Sequence, residues 1–182
     1  MTPNEQQIIE WITQDEARMQ ALRAVKTLGL EDECLAAGFV RNLVWDRVHG
    51  YEQTTPLNDI DVVYFNPHDL NPLTDLDYEQ RLNAIVALPW SVKNQARMHL
   101  KYGRAPYRST RDAISYWVET ETAIGVRLDE HDALELVAPL GVDSLFDFTI
   151  SANPQHGQPE VLLARAEQKG WITRWPKLRI EI

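Results

Sequence analysis

The sequence is poor in cysteine and in basic residues. Cys34 is the one cysteine among 182 residues, which excludes an internal disulfide framework and leaves a small buried core residue as its expected role. Lys and Arg number 18 against 27 Asp and Glu, giving a net charge of −9. A large nonspecific nucleic-acid surface is therefore not expected, because such surfaces are strongly basic.

Long apolar runs are also missing. No run approaches the roughly 20 residues that a membrane helix requires, and the start, MTPNEQQ, lacks the basic and apolar regions of a secretion signal. These absences predict a soluble, cytoplasmic protein without membrane contact. The hydrophobic fraction of 44% and the charged fraction of 25% indicate a folded core, and the length suggests one domain over residues 1–182.

The basic residues are distributed unevenly. The window 97–111 contains one histidine, no acid and five of the 18 bases: Arg97, Lys101, Arg104, Arg108 and Arg111. It suits a pyrophosphate clamp or a site for an acidic acceptor, with Arg97 and Arg104 as candidate nucleotide ligands. Tyr102 and Tyr107 lie among the bases and could stack on a nucleobase. The competing interpretation is a solvated loop whose charges offset an acidic protein.

The stretch 34–65 organises the chain. It predicts a strand, a glycine turn, a helix, a loop and a second strand that opens with Asp59 and Asp61. Alternate residues of a strand share a face, so both carboxylates point the same way, about 6.5–7 Å apart. Such a pair can share one divalent ion, or two ions about 3.5–4 Å apart. Isolated pairs are mostly solvated turn residues, but here the apolar run 62–65 follows at once.

A glycine precedes a predicted helix just upstream of this pair. Gly38 ends a short apolar segment, and Arg41 follows inside the helix. A glycine at a strand-to-helix turn lets the backbone approach a phosphate closely, and a helix N-terminus favours an anion. The fork of an arginine can neutralise a phosphate. A surface salt bridge is the alternative role for Arg41.

The segment AGFVRNLVWDRVHG, followed by NDIDVV, resembles the G-G-x-V-R-D…G…D-h-D-h signature of the polymerase-β-like nucleotidyltransferase superfamily, in the style of CCA-adding and poly(A) polymerases. Ala37 and Gly38 stand for the glycine pair, and Arg41 matches the motif arginine. Asn42 replaces the motif aspartate. The chain as a whole, including WSVKNQARMH and ETETAIGVR, resembles a bacterial family of nucleotidyltransferase-like proteins.

This resemblance implies an activity. A nucleoside monophosphate would pass from an NTP to a hydroxyl of an unknown acceptor, with Mg²⁺, or Mn²⁺, as the cofactor. Asp59 and Asp61 would be the catalytic residues and the metal ligands, because Mg²⁺ prefers carboxylate oxygens and needs few protein ligands. Gly38, Arg41 and Asn42 would contact the nucleotide.

The family's third carboxylate, on the strand after the aspartate pair, has no counterpart in this sequence. No Asp or Glu occurs between Gln80 and Arg111. Asn94, a candidate nucleotide ligand, lies in the expected region, and an amide is a weaker Mg²⁺ ligand than a carboxylate. Glu119 or Glu121 could supply the missing group. The alternatives are a catalytically weakened nucleotide-binding or regulatory module, and an interaction protein whose aspartate pair is only a turn.

The apolar pattern predicts an α+β fold. We expect a small mixed β-sheet with helices packed on one face and a hairpin extending its edge, which the resemblance identifies with a polymerase-β-like nucleotidyltransferase core. An amphipathic helix is predicted over about 4–28, the core over about 34–150, and a helix and tail over about 160–182. A third strand over the segment WSVKNQARMHL is predicted to begin after Pro89.

Overall fold

The centre of the protein is a five-stranded mixed sheet. The structure is a computed structural model that describes residues 1–182. The strand order is β3-β2-β1-β4-β5, where the strands are β1 (Cys34–Ala36), β2 (Ile60–Tyr64), β3 (Trp90–Asn94), β4 (Gly125–Leu128) and β5 (Leu134–Val137). β2 and β3 are parallel and the other neighbours antiparallel. The predicted α+β class and mixed sheet are confirmed, and the predicted hairpin, β4–β5, forms one edge.

Four helices cover one face of this sheet. They are α1 (Pro3–Gln14), α2 (Glu16–Lys26), α3 (Gly38–Val48) and α4 (Pro72–Ile85). The largest core cluster, of 23 buried residues, lies between these helices and the sheet face that carries Leu35, Val62 and Val126. Every second residue of the central strands therefore contributes to this core, and the residues between them face the other side.

The predicted helix over residues 4–28 is in fact two helices. The backbone leaves helical geometry at Asp15, with φ −95° and ψ 97°. The Asp15 carboxylate then caps α2 by accepting a hydrogen bond from the backbone N–H of Arg18. An apolar pattern near helical period continues across this cap, because both helices face the same core. Capping by a short acidic side chain is the local reason for the break.

The third strand is shorter than WSVKNQARMHL suggested. β3 ends at Asn94, and residues Gln95–Tyr102 form a 3-10 helix. The Asn94 side chain accepts a hydrogen bond from the backbone N–H of Ala96. Asparagine side chains compete with ladder hydrogen bonds in this way, which ends the strand. The short helix α5 (Thr110–Ile114) follows and lies over the second face of the sheet.

The C-terminal residues form a unit that docks on α3. It contains β6 (Thr149–Ser151), α6 (Glu160–Lys169), α7 (Trp171–Arg174) and β7 (Arg179–Glu181), with β6 and β7 paired in parallel. Trp45 of α3 joins the core of this unit, and its ring centroid lies 5.8 Å from that of Trp171 and 5.1 Å from that of Trp175. These contacts bring α6 beside the uncovered part of the sheet.

The structure contains no helix that is long and apolar enough to span a bilayer.

We predict that Gly125→Ala destabilises the protein. A Cβ at this position would lie 2.5 Å from the Cys34 Sγ and 3.3 Å from the Leu35 carbonyl oxygen. Overpacking of this kind costs about 1–3 kcal/mol, which urea unfolding will measure. The double variant Gly125→Ala with Cys34→Ala removes the sulfur and should recover part of the loss. Equal stability of Gly125→Ala and wild type would show that β1 and β4, which pair here, leave room for a methyl group at position 125.

Candidate active site

Asp59 and Asp61 lie at one end of β2 and line the same cleft. β2 begins at Ile60, and the side chains of Ile60 and Val62 are buried in the main core. The pleat therefore turns Asp61 to the opposite face, where it is partly buried, while Asp59 precedes the strand and is exposed. Neither carboxylate forms an ion pair with a protein side chain. Two unpaired carboxylates thus face one space.

The pKa of Asp61 is raised above its ordinary value. Burial is the main cause and the neighbouring charge of Asp59 the second, while Arg41, Lys169 and Arg165 act in the opposite direction. A cation between the two carboxylates would offset both causes, and carboxylate oxygens are the donors that Mg²⁺ prefers. The pair therefore fits a divalent ion, although no cluster of three or more His, Cys, Asp or Glu side chains accompanies it.

The turn between β1 and α3 holds an unusual backbone conformation. Ala37 has φ 56° and ψ −121°, a region that residues with a Cβ rarely occupy and that costs about 1–3 kcal/mol. Gly38 follows as the first residue of α3. A Cβ there would lie 3.2 Å from the Asn42 Nδ2 and 3.3 Å from the Arg41 Nη2, so glycine leaves room for both side chains at the cleft wall.

Arg41 forms a fixed positive wall of the cleft. Its guanidinium lies 5.0 Å from the ring centroid of Trp45 and 4.7 Å from that of Trp171. Its Nη1 donates to the Thr122 Oγ1 at 2.8 Å, and its Nε donates to the Asn42 Oδ1 at 3.1 Å. Burial lowers the pKa of Arg41 to about 10, so the group stays charged at neutral pH. A surface salt bridge is therefore not its role.

Two basic residues of α6 also line the cleft beside the aspartate pair. Arg165 and Lys169 are four residues apart and so project from one face of the helix. The Arg165 Nε donates to the Glu119 Oε1 at 2.8 Å, and Glu119 is fully buried. Sequence reasoning missed both cations. The four-residue spacing of Arg165 and Lys169 can be read from the sequence, but no sequence feature near them predicts that their helix lies beside β2.

Neither proposed source of a third carboxylate lines the cleft. Glu119 is engaged by Arg165, as described. Glu121 accepts hydrogen bonds from the Ser151 N–H at 2.8 Å and from the Ser151 Oγ at 2.7 Å, and burial raises its pKa. On β3 the residue paired with Asp61 is Ser91. The structure thus places no further acid beside the pair.

Asn94 and Arg97 lie away from the cleft, which corrects their assignment as nucleotide ligands. Asn94 pairs with Tyr64 in the β2–β3 register and so shares the helix-covered face. Its side chain binds backbone groups of Asn66 at 3.0 and 2.8 Å. Arg97 forms an ion pair with the nearly inaccessible Asp75. Strand alternation explains Asn94, because residues in phase with Val62 cannot reach Asp61. Arg97 lies beyond the strand, in the 3-10 helix, where its ion pair with Asp75 of α4 holds it.

The cleft consists of two chambers that meet at Asp59 and Asp61, with Arg165 and Lys169 bordering both. The polar chamber has a volume of about 120 Å³, and its other lining residues include Gly38, Arg41, Asn42, Asn58 and Arg174. The aromatic chamber has a volume of about 400 Å³, and its other lining residues include Lys93, Lys101, Tyr102, Arg104, Tyr116 and Trp117. Of the predicted basic window, Lys101 and Arg104 thus reach the cleft.

A buried carboxylate fixes the outer wall of the polar chamber. Asp46 of α3 accepts hydrogen bonds from the Thr55 N–H and Oγ1, both at 2.7 Å, and from the Trp175 Nε1 at 2.9 Å. It therefore ties the loop before β2 and the C-terminal unit to the same helix. Nothing in the sequence around Asp46 indicated this role.

A family model described as Nucleotidyltransferase matches residues 23–180. The chain belongs to this nucleotidyltransferase family. The predicted relationship to the polymerase-β-like nucleotidyltransferases is confirmed.

Two solved structures resemble this nucleotidyltransferase. A protein whose NMR structure reveals a CCA-adding enzyme head domain superposes with a TM-score of 0.81 and 33% identity, over 96% of this chain and 94% of that one. A CCA-adding enzyme in complex with CTP superposes with a TM-score of 0.53 and 13% identity, over 93% of this chain and 47% of that one. The second likeness is one of fold alone. No curated protein matches the chain.

We predict that Ala37→Gly stabilises the nucleotidyltransferase by about 1 kcal/mol, because glycine adopts this φ without steric cost. Thermal and urea unfolding will measure the gain. Ala36→Gly is the matched control: Ala36 lies in β1 at negative φ and is buried, so glycine there should lower stability. Loss of stability in both variants would show that the turn is not strained.

We also predict that Arg97→Ala lowers stability without weakening the binding of an NTP. The change leaves the buried Asp75 carboxylate without its ion pair, at a cost on the order of 3 kcal/mol. Lys169→Gln, which should weaken ATP binding, is the comparison, since Lys169 lines the polar chamber and borders both chambers. Calorimetric titration with ATP, below the unfolding temperature of each variant, makes the measurement. Weaker ATP binding by folded Arg97→Ala would show that Arg97 contributes to the nucleotide site after all.

Proposed function

We propose that this protein transfers a nucleoside monophosphate from an NTP to a hydroxyl of an acceptor, with a divalent ion held by Asp59 and Asp61. Mg²⁺ is the expected ion and Mn²⁺ the alternative. One observation carries the proposal: two unpaired carboxylates at one end of β2 lie where two chambers meet, with Arg165 and Lys169 beside them. Membership of a nucleotidyltransferase family supports the reaction type.

The triphosphate is assigned to the polar chamber. This chamber contains the first turn of α3, an 11-residue helix whose N-terminus attracts anions. Gly38 admits a phosphate close to the backbone, and Arg41 is held as a fixed cation next to it. Asn42 lines the same chamber. The fold likeness to a CCA-adding enzyme that binds CTP supports an NTP as the substrate.

In the proposed reaction, the acceptor oxygen forms a bond to the α-phosphorus of the NTP. The bond from that phosphorus to the oxygen bridging to the β-phosphate breaks, and pyrophosphate leaves. The acceptor hydroxyl loses its proton to solvent. Negative charge builds on the phosphate oxygens, where Arg165 and Lys169 offset it from the border of the two chambers.

A divalent ion, when bound, would polarise the phosphate and lower the pKa of the attacking hydroxyl. Asp59 and Asp61 would hold it through carboxylate oxygens. Glu119 does not touch the substrate in this scheme. It orients Arg165 through a hydrogen bond of 2.8 Å, and because it is fully buried it fixes that orientation.

A second function is favoured by the residues beside Asp61. Ser91 pairs with Asp61 on β3, and Lys93 follows two residues later on the same face, where a third carboxylate would strengthen metal binding. A module that binds a nucleotide and turns it over slowly or not at all fits this arrangement. Transfer of label from an α-³²P-labelled NTP separates the two functions, since only the enzyme yields labelled product and pyrophosphate.

We predict that Asp59→Asn with Asp61→Asn abolishes the Mg²⁺-dependent part of the thermal shift produced by an NTP. Both changes remove charge with little change in shape, and a ligand at 100 times its Kd stabilises a protein by about 2.7 kcal/mol. Differential scanning fluorimetry with each NTP, with and without Mg²⁺, makes the measurement. Asp77→Asn with Glu130→Gln is the control, because neither residue lines the cleft.

The control should shift as wild type does. A metal-dependent shift of wild-type size in the Asp59/Asp61 double variant would overturn the proposed function and favour an interaction protein. Clear NTP binding together with undetectable label transfer would favour the nucleotide-binding module.

A further inference from the structure

We propose that the aromatic chamber is the acceptor site, and that the acceptor is a small molecule with a planar ring and an anionic group. The inference rests on the proposed function for the role of the ligand as acceptor. Binding of such a ligand to the chamber does not depend on that function. The position, the aromatic wall, the charges and the size of the chamber each contribute to this assignment.

The chamber adjoins the carboxylates on the β3 side. Asp61 and Val63 of β2 pair with Ser91 and Lys93 of β3, and all four residues lie on the sheet face opposite α1–α4. Lys93 pairs with Val63, which follows Asp61 by two residues. Lys93 therefore lies on the neighbouring strand, about 7 Å farther along the strand direction than Asp61. A molecule whose hydroxyl lies at the aspartate pair would place a second group at the Lys93 ammonium.

An arginine holds the aromatic wall in place. The Arg104 guanidinium lies 4.4 Å from the ring centroid of Tyr102 and 4.9 Å from that of Tyr116. It donates to the Tyr107 hydroxyl at 3.0 Å and to the His156 carbonyl at 2.9 Å. These two hydrogen bonds and two ring contacts tie Arg104 to three tyrosines and to His156, so it acts as a brace for the aromatic wall.

The braced rings are available to a ligand. Tyr102 is 42% exposed, and Tyr116 and Trp117 are partly exposed and line the chamber. Aromatic rings fixed before binding provide stacking surface with little loss of side-chain freedom on binding, and stacking of one base contributes about 1–3 kcal/mol. This wall recognises a planar ring.

The charges select an anion. Lys93 and Lys101 are exposed and form no ion pair, and Lys169 at the border is likewise exposed and unpaired. The only acids that line the chamber are Asp59 and Asp61 at its inner end. The ammonium groups therefore give this part of an otherwise acidic protein a positive potential, to which a phosphate or carboxylate group on the acceptor would bind.

The size and the overall charge favour a small molecule over a nucleic acid. A volume of about 400 Å³ lies within the range of about 300–1,000 Å³ typical of small-molecule sites. A polynucleotide would in addition need a basic surface outside the chamber, and the net charge of −9 does not favour one.

The probe for the test is 4-(hydroxymethyl)phenyl phosphate, which combines a ring, an anion and a free hydroxyl. Its binding to the full chain is measured by calorimetry and by NMR shifts, without NTP. Inorganic phosphate and a short single-stranded oligonucleotide are the comparison ligands. Lys93→Gln and Tyr102→Ala should each weaken binding of the probe about tenfold, the loss expected for one charged hydrogen bond or one stacked ring. Lys177→Gln, outside the cleft, should bind as wild type does.

Three results would overturn the inference. One is unchanged binding of the probe in folded Lys93→Gln and Tyr102→Ala. Another is binding of inorganic phosphate as tight as that of the probe, which would show that no ring is recognised. The third is binding of the oligonucleotide more tightly than the probe, which would make the acceptor a nucleic-acid end.

The proposed function is tested separately with an α-³²P-labelled NTP and Mg²⁺. Probe binding that depends on Lys93 and Tyr102, without any label transfer, would retain the chamber as a binding site and reject the transferase. Label transfer that is unchanged in Lys93→Gln and Tyr102→Ala would retain the transferase and reject the chamber as its acceptor site.

Discussion

The alternation of β2 constrains the whole site. Ile60, Val62 and Tyr64 are buried under the helices, so the backbone must turn Asp61 to the other face. That face then has to remain partly uncovered, and its covering elements, α5 and the C-terminal unit, lie to the sides of the aspartate pair. A one-residue change of register would bury the Asp61 carboxylate among apolar side chains. The packing of the core therefore also fixes the position of the candidate catalytic carboxylate.

The three arginines of the cleft come from different parts of the chain, and each is held by a different set of contacts. Arg41 packs against the rings of two tryptophans, Arg165 is bonded to a buried glutamate, and Arg104 packs against two tyrosines. In contrast, Lys93, Lys101 and Lys169 are exposed and unpaired. The arginines are positioned by the protein before a substrate binds, whereas the lysines have no ion-pair partner to give up on binding one. This division separates the charges that the fold fixes in advance from those that a ligand can pair with directly.

Sequence reasoning succeeded where the relevant contacts are local. The turn at Gly38, Arg41 on the following helix, and the aspartate pair before an apolar run are all encoded within about 25 residues, because strand and helix periodicities place them. It failed where position depends on tertiary contacts. Asn94 was misplaced because the face it occupies is set by the pairing of β3 with β2, and Arg97 because β3 ends before it and it pairs with Asp75 of α4. The docking of α6, which brings Arg165 to the site, depends on tryptophans distant in sequence.

The hydrogen bond between Asp46 and Trp175 has a consequence for the order of events during synthesis. The two residues are 129 positions apart. The Asp46 carboxylate is buried and the loop at Thr55 bonds to it, so the outer wall of the polar chamber is incomplete until Trp175 has left the ribosome. A nascent chain that already carries both aspartates therefore lacks the finished cleft. The protein acquires its complete site only after α7 has been synthesised and has docked on α3.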